Sequence, residues 1–132
     1  RALLTFLLNS LSTAHATFHS HANITPLENQ LNQLHLEISN SLEQKHSIAR
    51  CAKQLNISES YFQLIYKKLF GVSFQQDLIL MRVTRARFNL STSNLSLSQI
   101  AELCGYNNEV HFYRQFKKLT GVTPAQYRKH PF

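Results

Sequence analysis

The sequence predicts an all-α chain, with two helix-turn-helix subdomains joined by a long linking helix, about seven helices in all, preceded by a short N-terminal helix. Three observations predict it. Apolar residues recur at three- and four-residue steps in every segment, while strand signals are weak throughout. Gly and Pro number only three each among 132 residues. Finally, the chain repeats itself: residues 66–73 read Tyr-Lys-Lys-Leu-Phe-Gly-Val-Ser, and residues 116–123 read Phe-Lys-Lys-Leu-Thr-Gly-Val-Thr.

Each element has its own signals. Leu4, Leu7, Leu8, Leu11, Ala14 and Phe18 describe a short helix with one apolar stripe. Residues 1–22 are therefore read as the closing helix and linker of a domain lying further upstream, and the absence of an initiator Met fits missing upstream sequence. The stripe over residues 4–18 also suits a dimer seam, although about two heptads rarely hold alone. A polar break covers residues 20–25. Thr25-Pro26-Leu27-Glu28 then supplies an N-cap, a proline at the first helical position and a capping glutamate. The stripe of that helix is Leu27, Leu31, Leu34, Ile38 and Leu42. Ser47 caps a short helix from Ile48 to Leu55, residues 56–58 make the turn, and Ser58 caps a helix that runs to Phe70 and stops at Gly71.

Ser73-Phe74-Gln75-Gln76 opens the linking helix, which is expected to reach Leu90 with Ile79, Val83, Ala86 and Leu90 inward. Residues 91–94 should end it. Ser96 caps a short helix to Cys104, Gly105-Tyr106-Asn107 makes the turn, and Asn108 caps a helix to Thr120 that stops at Gly121. Thr123-Pro124-Ala125-Gln126 opens a last short helix through Arg128. The repeated domain is thus placed at 23–132, with its first helix-turn-helix at 23–73, the linking helix at 74–91 and the second at 92–132. Aligned by role, Ile48, Cys51, Ala52 and Leu55 match Leu97, Ile100, Ala101 and Cys104, and Phe62, Tyr66 and Leu69 match Phe112, Phe116 and Leu119. The offset grows from 49 to 50 across the turn, so the second turn is one residue longer. Ala52 and Ala101 sit where two helices crossing at roughly 90 to 120° leave little room.

Charge narrows the partner. The net charge is +7, yet residues 1–44 carry −2 and residues 45–132 carry +9, so the basic field coincides with the repeat. No apolar run approaches the ~20 residues that span a bilayer, and the stretch from Leu3 to Leu11 lacks a clean signal-peptide pattern. Cys51 and Cys104 fall on apolar helix faces, where cysteine behaves as a small hydrophobe. A reducing cytoplasm is the simpler setting for two such cysteines.

A helix in a major groove reads base edges with its N-terminal and outward residues. In the first candidate reading helix, Phe62, Ile65, Tyr66 and Leu69 form the inner stripe, leaving Ser60, Tyr61, Gln63, Leu64, Lys67 and Lys68 as contacts. In the second, Phe112, Phe116 and Leu119 turn inward, leaving Asn107, Asn108, Glu109, His111, Arg114, Lys117 and Lys118. Arg114 can pair bidentately with guanine, and Gln63 or an Asn with adenine. The four lysines suit phosphate contacts or a general field, since each is a mobile point charge. A linking helix of roughly 25 Å, with its flanking turns, suits heads spaced about one DNA turn, ~34 Å, in successive major grooves. Double-stranded DNA is the partner these features imply.

Other chemistries fare worse. No paired carboxylates, phosphate loop or catalytic triad is present, so no catalytic residue and no cofactor are expected. An enzyme built on this module, such as a DNA alkyl-transfer repair protein, needs a reactive cysteine, and neither Cys51 nor Cys104 has the electropositive, exposed setting a thiolate requires. His15, His19 and His21 raise a metal site, but without a carboxylate or cysteine beside them no metal is expected.

Over residues 26–130 the chain resembles the AraC/XylS family of bacterial transcription regulators. The residues that carry the resemblance are Ile100-Ala101, Gly105-Tyr106, Phe112, Arg114, Phe116-Lys117-Lys118, Gly121, Pro124 and Tyr127-Arg128, together with Arg82 and Ala86. The resemblance implies a module of two helix-turn-helix units on an asymmetric promoter site, usually activating transcription through RNA polymerase. It also implies an upstream sensing or dimerisation domain, through which the protein would form a homodimer, and a cytoplasmic, nucleoid-associated location. One departure matters: many members carry arginine where this chain has Leu64. The first head is therefore expected to read a thymine methyl or DNA shape there, or to contribute less.

Overall fold

A computed structural model describes residues 25–131, which form seven α-helices and, among the described residues, no strand. The helices are α1 (Pro26–Ser39), α2 (Ile48–Gln54), α3 (Glu59–Phe70), α4 (Phe74–Thr92), α5 (Leu97–Leu103), α6 (Glu109–Thr120) and α7 (Pro124–Lys129). The expected helix over residues 4–18 and the histidines at 15, 19 and 21 lie outside the described residues. The chain clusters into two compact units: residues 25–38 with 47–74, and residues 39–46 with 75–131. The helix expected to link them starts in the first unit at Phe74 and belongs to the second from Gln75 onward.

In the first unit, the Glu28 amide donates to Thr25 Oγ1 at 3.1 Å and starts α1, which buries Leu31, Leu34 and Ile38. Leu42 does not continue that stripe. The helix ends at Ser39, and Leu42 is buried from a turn in the second unit, so its helical spacing is coincidental. Ser47 and Ser58 cap α2 and α3 by accepting from the amides of Arg50 and Tyr61, each at 3.1 Å. Phe62 and Tyr66 are fully buried, and Phe74 meets both ring edges at centroid distances of 5.4 and 5.3 Å. His35 of α1 stacks on Phe70 at 4.7 Å, extending that aromatic core. Ile65 and Leu69 are only half-buried, at the margin of the expected stripe.

In the second unit, α4 runs two residues beyond the expected end. The polar stretch that reads as a break instead bonds back to the helix: Ser91 Oγ donates to the Arg87 carbonyl at 3.0 Å, and Thr92 Oγ1 to that of Phe88 at 2.6 Å. Helix α4 buries Val83, Ala86 and Leu90 on one face and Leu78 and Met81 on another. Apolar residues on two faces blur the single-stripe pattern, which is why the sequence shows only one of them. The core of this unit joins Val83, Ala86 and Leu90 to Ile100, Ala101, Cys104, Tyr106, Phe112, Phe116 and Tyr127. Arg128 closes it, donating to the Leu90 carbonyl at 3.2 Å and the Ser93 carbonyl at 3.3 Å. Capping boxes at Ser96–Gln99 and Thr123–Gln126 fix the starts of α5 and α7.

Candidate nucleic-acid interface

Each unit contains the same turn. In the first, the amides of Leu55, Asn56 and Ile57 donate to the carbonyls of Cys51, Lys53 and Ala52 at 3.0 to 3.1 Å. In the second, Cys104, Gly105 and Tyr106 donate to Ile100, Glu102 and Ala101 at 2.9 to 3.0 Å, bond for bond. The pivot is left-handed in both, at Asn56 (φ 58°) and Gly105 (φ 91°), residue types that tolerate that region. Asn serves in the first turn, but the second needs Gly, because a Cβ there would collide with the Leu42 carbonyl oxygen. Ala52 and Ala101 are both buried at these crossings, as their small size anticipates.

The turns deliver α3 and α6 in the same register. Ser58 and Asn108 are their caps, with Asn108 Oδ1 accepting from the His111 amide at 2.7 Å. Left-handed Gly71 and Gly121 end them, their amides donating at 2.8 Å to the carbonyls of Lys67 and Lys117. Position 50 residues apart is therefore the same position. At about 100° per residue, Ser60, Gln63, Leu64 and Lys67 fall within an arc of about 100°, opposite buried Phe62 and Tyr66. Tyr61 and Lys68 flank that strip, and all six residues are exposed.

The equivalent strip of α6 is Val110, Tyr113, Arg114 and Lys117, flanked by His111 and Lys118, all exposed. Val110 and Tyr113 are absent from the sequence-based set, which took the polar residues of the helix start in their place. The repeat itself contained the signal, since stepping 50 residues from Ser60 and Gln63 lands on them. Asn107 is the extra residue of the second turn, and Asn108 spends its side-chain oxygen on the cap. Glu109 occupies the first helical position, as Glu59 does in α3, about 100° from the strip centre. Carboxylates there are favoured by the helix dipole.

Behind α6 the Tyr106 ring holds the head together. It lies 5.4 Å from the His111 ring and 5.2 Å from Phe112, and the Arg82 guanidinium sits 5.9 Å over it. Its hydroxyl donates to Gln115 Oε1. Burial pushes the Tyr106 hydroxyl well above its ordinary range and lowers Arg82. The cysteines are free and buried. Burial, only partly offset by neighbouring arginines, raises the Cys51 thiol and carries Cys104 to about 11, so neither has the character of a nucleophile near neutrality. Among the described residues no group of three His, Cys, Asp or Glu is placed to hold a metal ion, and no helix is long and apolar enough to cross a membrane.

Two matched helix-turn-helix units, each presenting one exposed strip with basic residues on its second helix, define a protein of the double helix-turn-helix class. Residues 51–130 match a family described as a helix-turn-helix domain. The uncharacterized HTH-type transcriptional regulator YtdP of Bacillus subtilis is 33% identical over 98 residues, covering 74% of this chain and 13% of its own length. The HTH-type transcriptional activator RhaR of Salmonella schwarzengrund is 30% identical over 104 residues, covering 79% of this chain and 37% of its own. The chain thus spans a minor part of these curated relatives. Among solved structures, the DNA-binding domain of the global transcriptional factor AdpA, in complex with a target DNA, matches with a TM-score of 0.72 and 27% identity, over 75% of this chain and 89% of that one. The chain belongs to the AraC/XylS family of transcriptional regulators.

Proposed function

We propose that this chain binds double-stranded DNA sequence-specifically, each reading helix entering a major groove and the two heads engaging successive grooves of one promoter site. The observation that carries this reading is the repeated exposed strip: Gln63 with Lys67 on α3, and Arg114 with Lys117 on α6, each set opposite a buried aromatic face. The residues assigned to the duplex are Ser60, Tyr61, Gln63, Leu64, Lys67, Lys68, Asn107, Asn108, Glu109, His111, Arg114, Lys117 and Lys118. Phosphate contacts fall to the lysines and base edges to Gln63 and Arg114. The AdpA domain in complex with a target DNA supports DNA as the partner.

The output is regulation of bacterial transcription, most directly activation through contact with RNA polymerase, in the cytoplasm at the nucleoid. RhaR, an activator by name, supports that direction. A homodimer formed through an upstream domain or residues 4–18 completes the reading, and no catalytic step is assigned to any residue. Competition between promoter fragments of the source genome and random duplex tests the core claim. A preference of at least about 10³ is expected, and equal affinity overturns it. Transcription from a bound promoter with purified polymerase tests the output: a rise supports activation, and a fall assigns repression.

A further inference from the structure

Seven large apolar side chains are strongly exposed among the described residues, and four of them lie on the two reading helices. Tyr61 is 46% exposed and Leu64 66%, while Val110 is 59% and Tyr113 43%. A single exposed leucine needs no explanation. Four apolar side chains concentrated in the first six residues of two equivalent helices do. Each pair is separated by three residues, so its members are neighbours on one side of a helix. The order is inverted between heads: tyrosine then aliphatic in α3, aliphatic then tyrosine in α6.

The surroundings state what such a pair can meet. Next in the chain to each lies one exposed forked polar side chain, Gln63 or Arg114, and further along each helix lie two exposed lysines, Lys67 and Lys68 or Lys117 and Lys118. The partner must therefore be a polyanion that offers hydrogen-bonding edges and an apolar group side by side. In the major groove that apolar group is the C5-methyl of thymine.

Resting on the DNA-binding reading above, we infer that each head reads thymine methyls with its tyrosine–aliphatic pair, next to one base read by its forked side chain. The first half-site then combines thymine with the adenine suited to Gln63, and the second combines thymine with the guanine suited to Arg114. Leu64, which stands in α3 where Arg114 stands in α6, is on this account a methyl reader. Val110 is its counterpart in the second head, displaced toward the helix start.

The test begins with selection of duplexes from a random pool by the full chain, followed by replacement of each thymine in the selected site with deoxyuridine, which removes only the methyl. At least one position under each head is expected to lose about fourfold in affinity, the equivalent of one exposed methyl. Leu64→Ala should abolish the uracil penalty under the first head alone, and Val110→Ala under the second alone. Uracil tolerated at every thymine overturns the inference, as do penalties that persist undiminished in both variants. A pool that enriches no sequence overturns the underlying DNA-reading proposal instead. Both substitutions fall on exposed helix positions, and the uracil scan needs no variant, so a folding defect cannot hide the answer.

Discussion

At the scale of single residues, Arg114 and Lys117 share one strip of α6 but are expected to fail differently. Arg114→Ala should cost about 1 to 3 kcal/mol on the preferred duplex and relax discrimination at one base position, measured against singly substituted duplexes. Lys117→Ala should weaken all duplexes alike and flatten the plot of log affinity against log salt by about one unit. Cys104 gives a pH prediction. Its thiol moves from an ordinary 9.0 to about 11 on burial, so the folded state holds its proton longer than the unfolded chain. Stability is then intact below pH 9 and falls as pH rises toward 11, with buried Tyr106 acting in the same direction. Urea midpoints measured from pH 8 to 11 should fall with pH, and Cys104→Ala should lessen that fall. Gln63, Lys67, Arg114 and Lys117 were legible as exposed, because polar and charged side chains on the face opposite an apolar stripe have no place in the core. Val110 and Tyr113 were not, because an apolar side chain in a helix reads as core until burial shows otherwise.

At the scale of elements, the caps were the most legible feature. Ser47, Ser58, Ser96, Asn108 and Thr123 all cap where the sequence places them, since a short oxygen-bearing side chain before an apolar run has few other uses. Asn108→Ala should cost about 1 kcal/mol of stability and loosen the start of α6, which denaturant unfolding and amide exchange at His111 would report. The end of α4 was not legible, because Ser91 and Thr92 signal a break by composition yet spend their hydroxyls on helix carbonyls. The two kinds of left-handed glycine also separate here. Gly121 has nothing within 4 Å of where a Cβ would stand, so Gly121→Ala should cost only the roughly 1 to 2 kcal/mol of the backbone conformation. Gly105→Ala adds a collision with the Leu42 carbonyl and should cost more than about 4 kcal/mol in the same unfolding measurement.

At the scale of the molecule, two heads on one chain make the second engagement intramolecular. Inserting five base pairs between the half-sites turns one of them about half a helical turn away. A loss of about 10²-fold in affinity is expected in a gel-shift titration, while insertion of a full turn should be less damaging than that of a half turn. The chain itself is ordered less simply than the repeat suggests. It enters the second unit at residues 39–46, returns to the first for residues 47–74, and leaves it again. The backbone that Gly105 needs beside it, at Leu42, therefore comes from a stretch encoded before the first reading helix. A duplicated module interleaved in this way is no longer a detachable cassette. Grafting residues 75–131 from one regulator onto another imports the tight turn without the strand of main chain it was shaped against, so specificity transplants in this chain have a natural exchange unit of two segments rather than one.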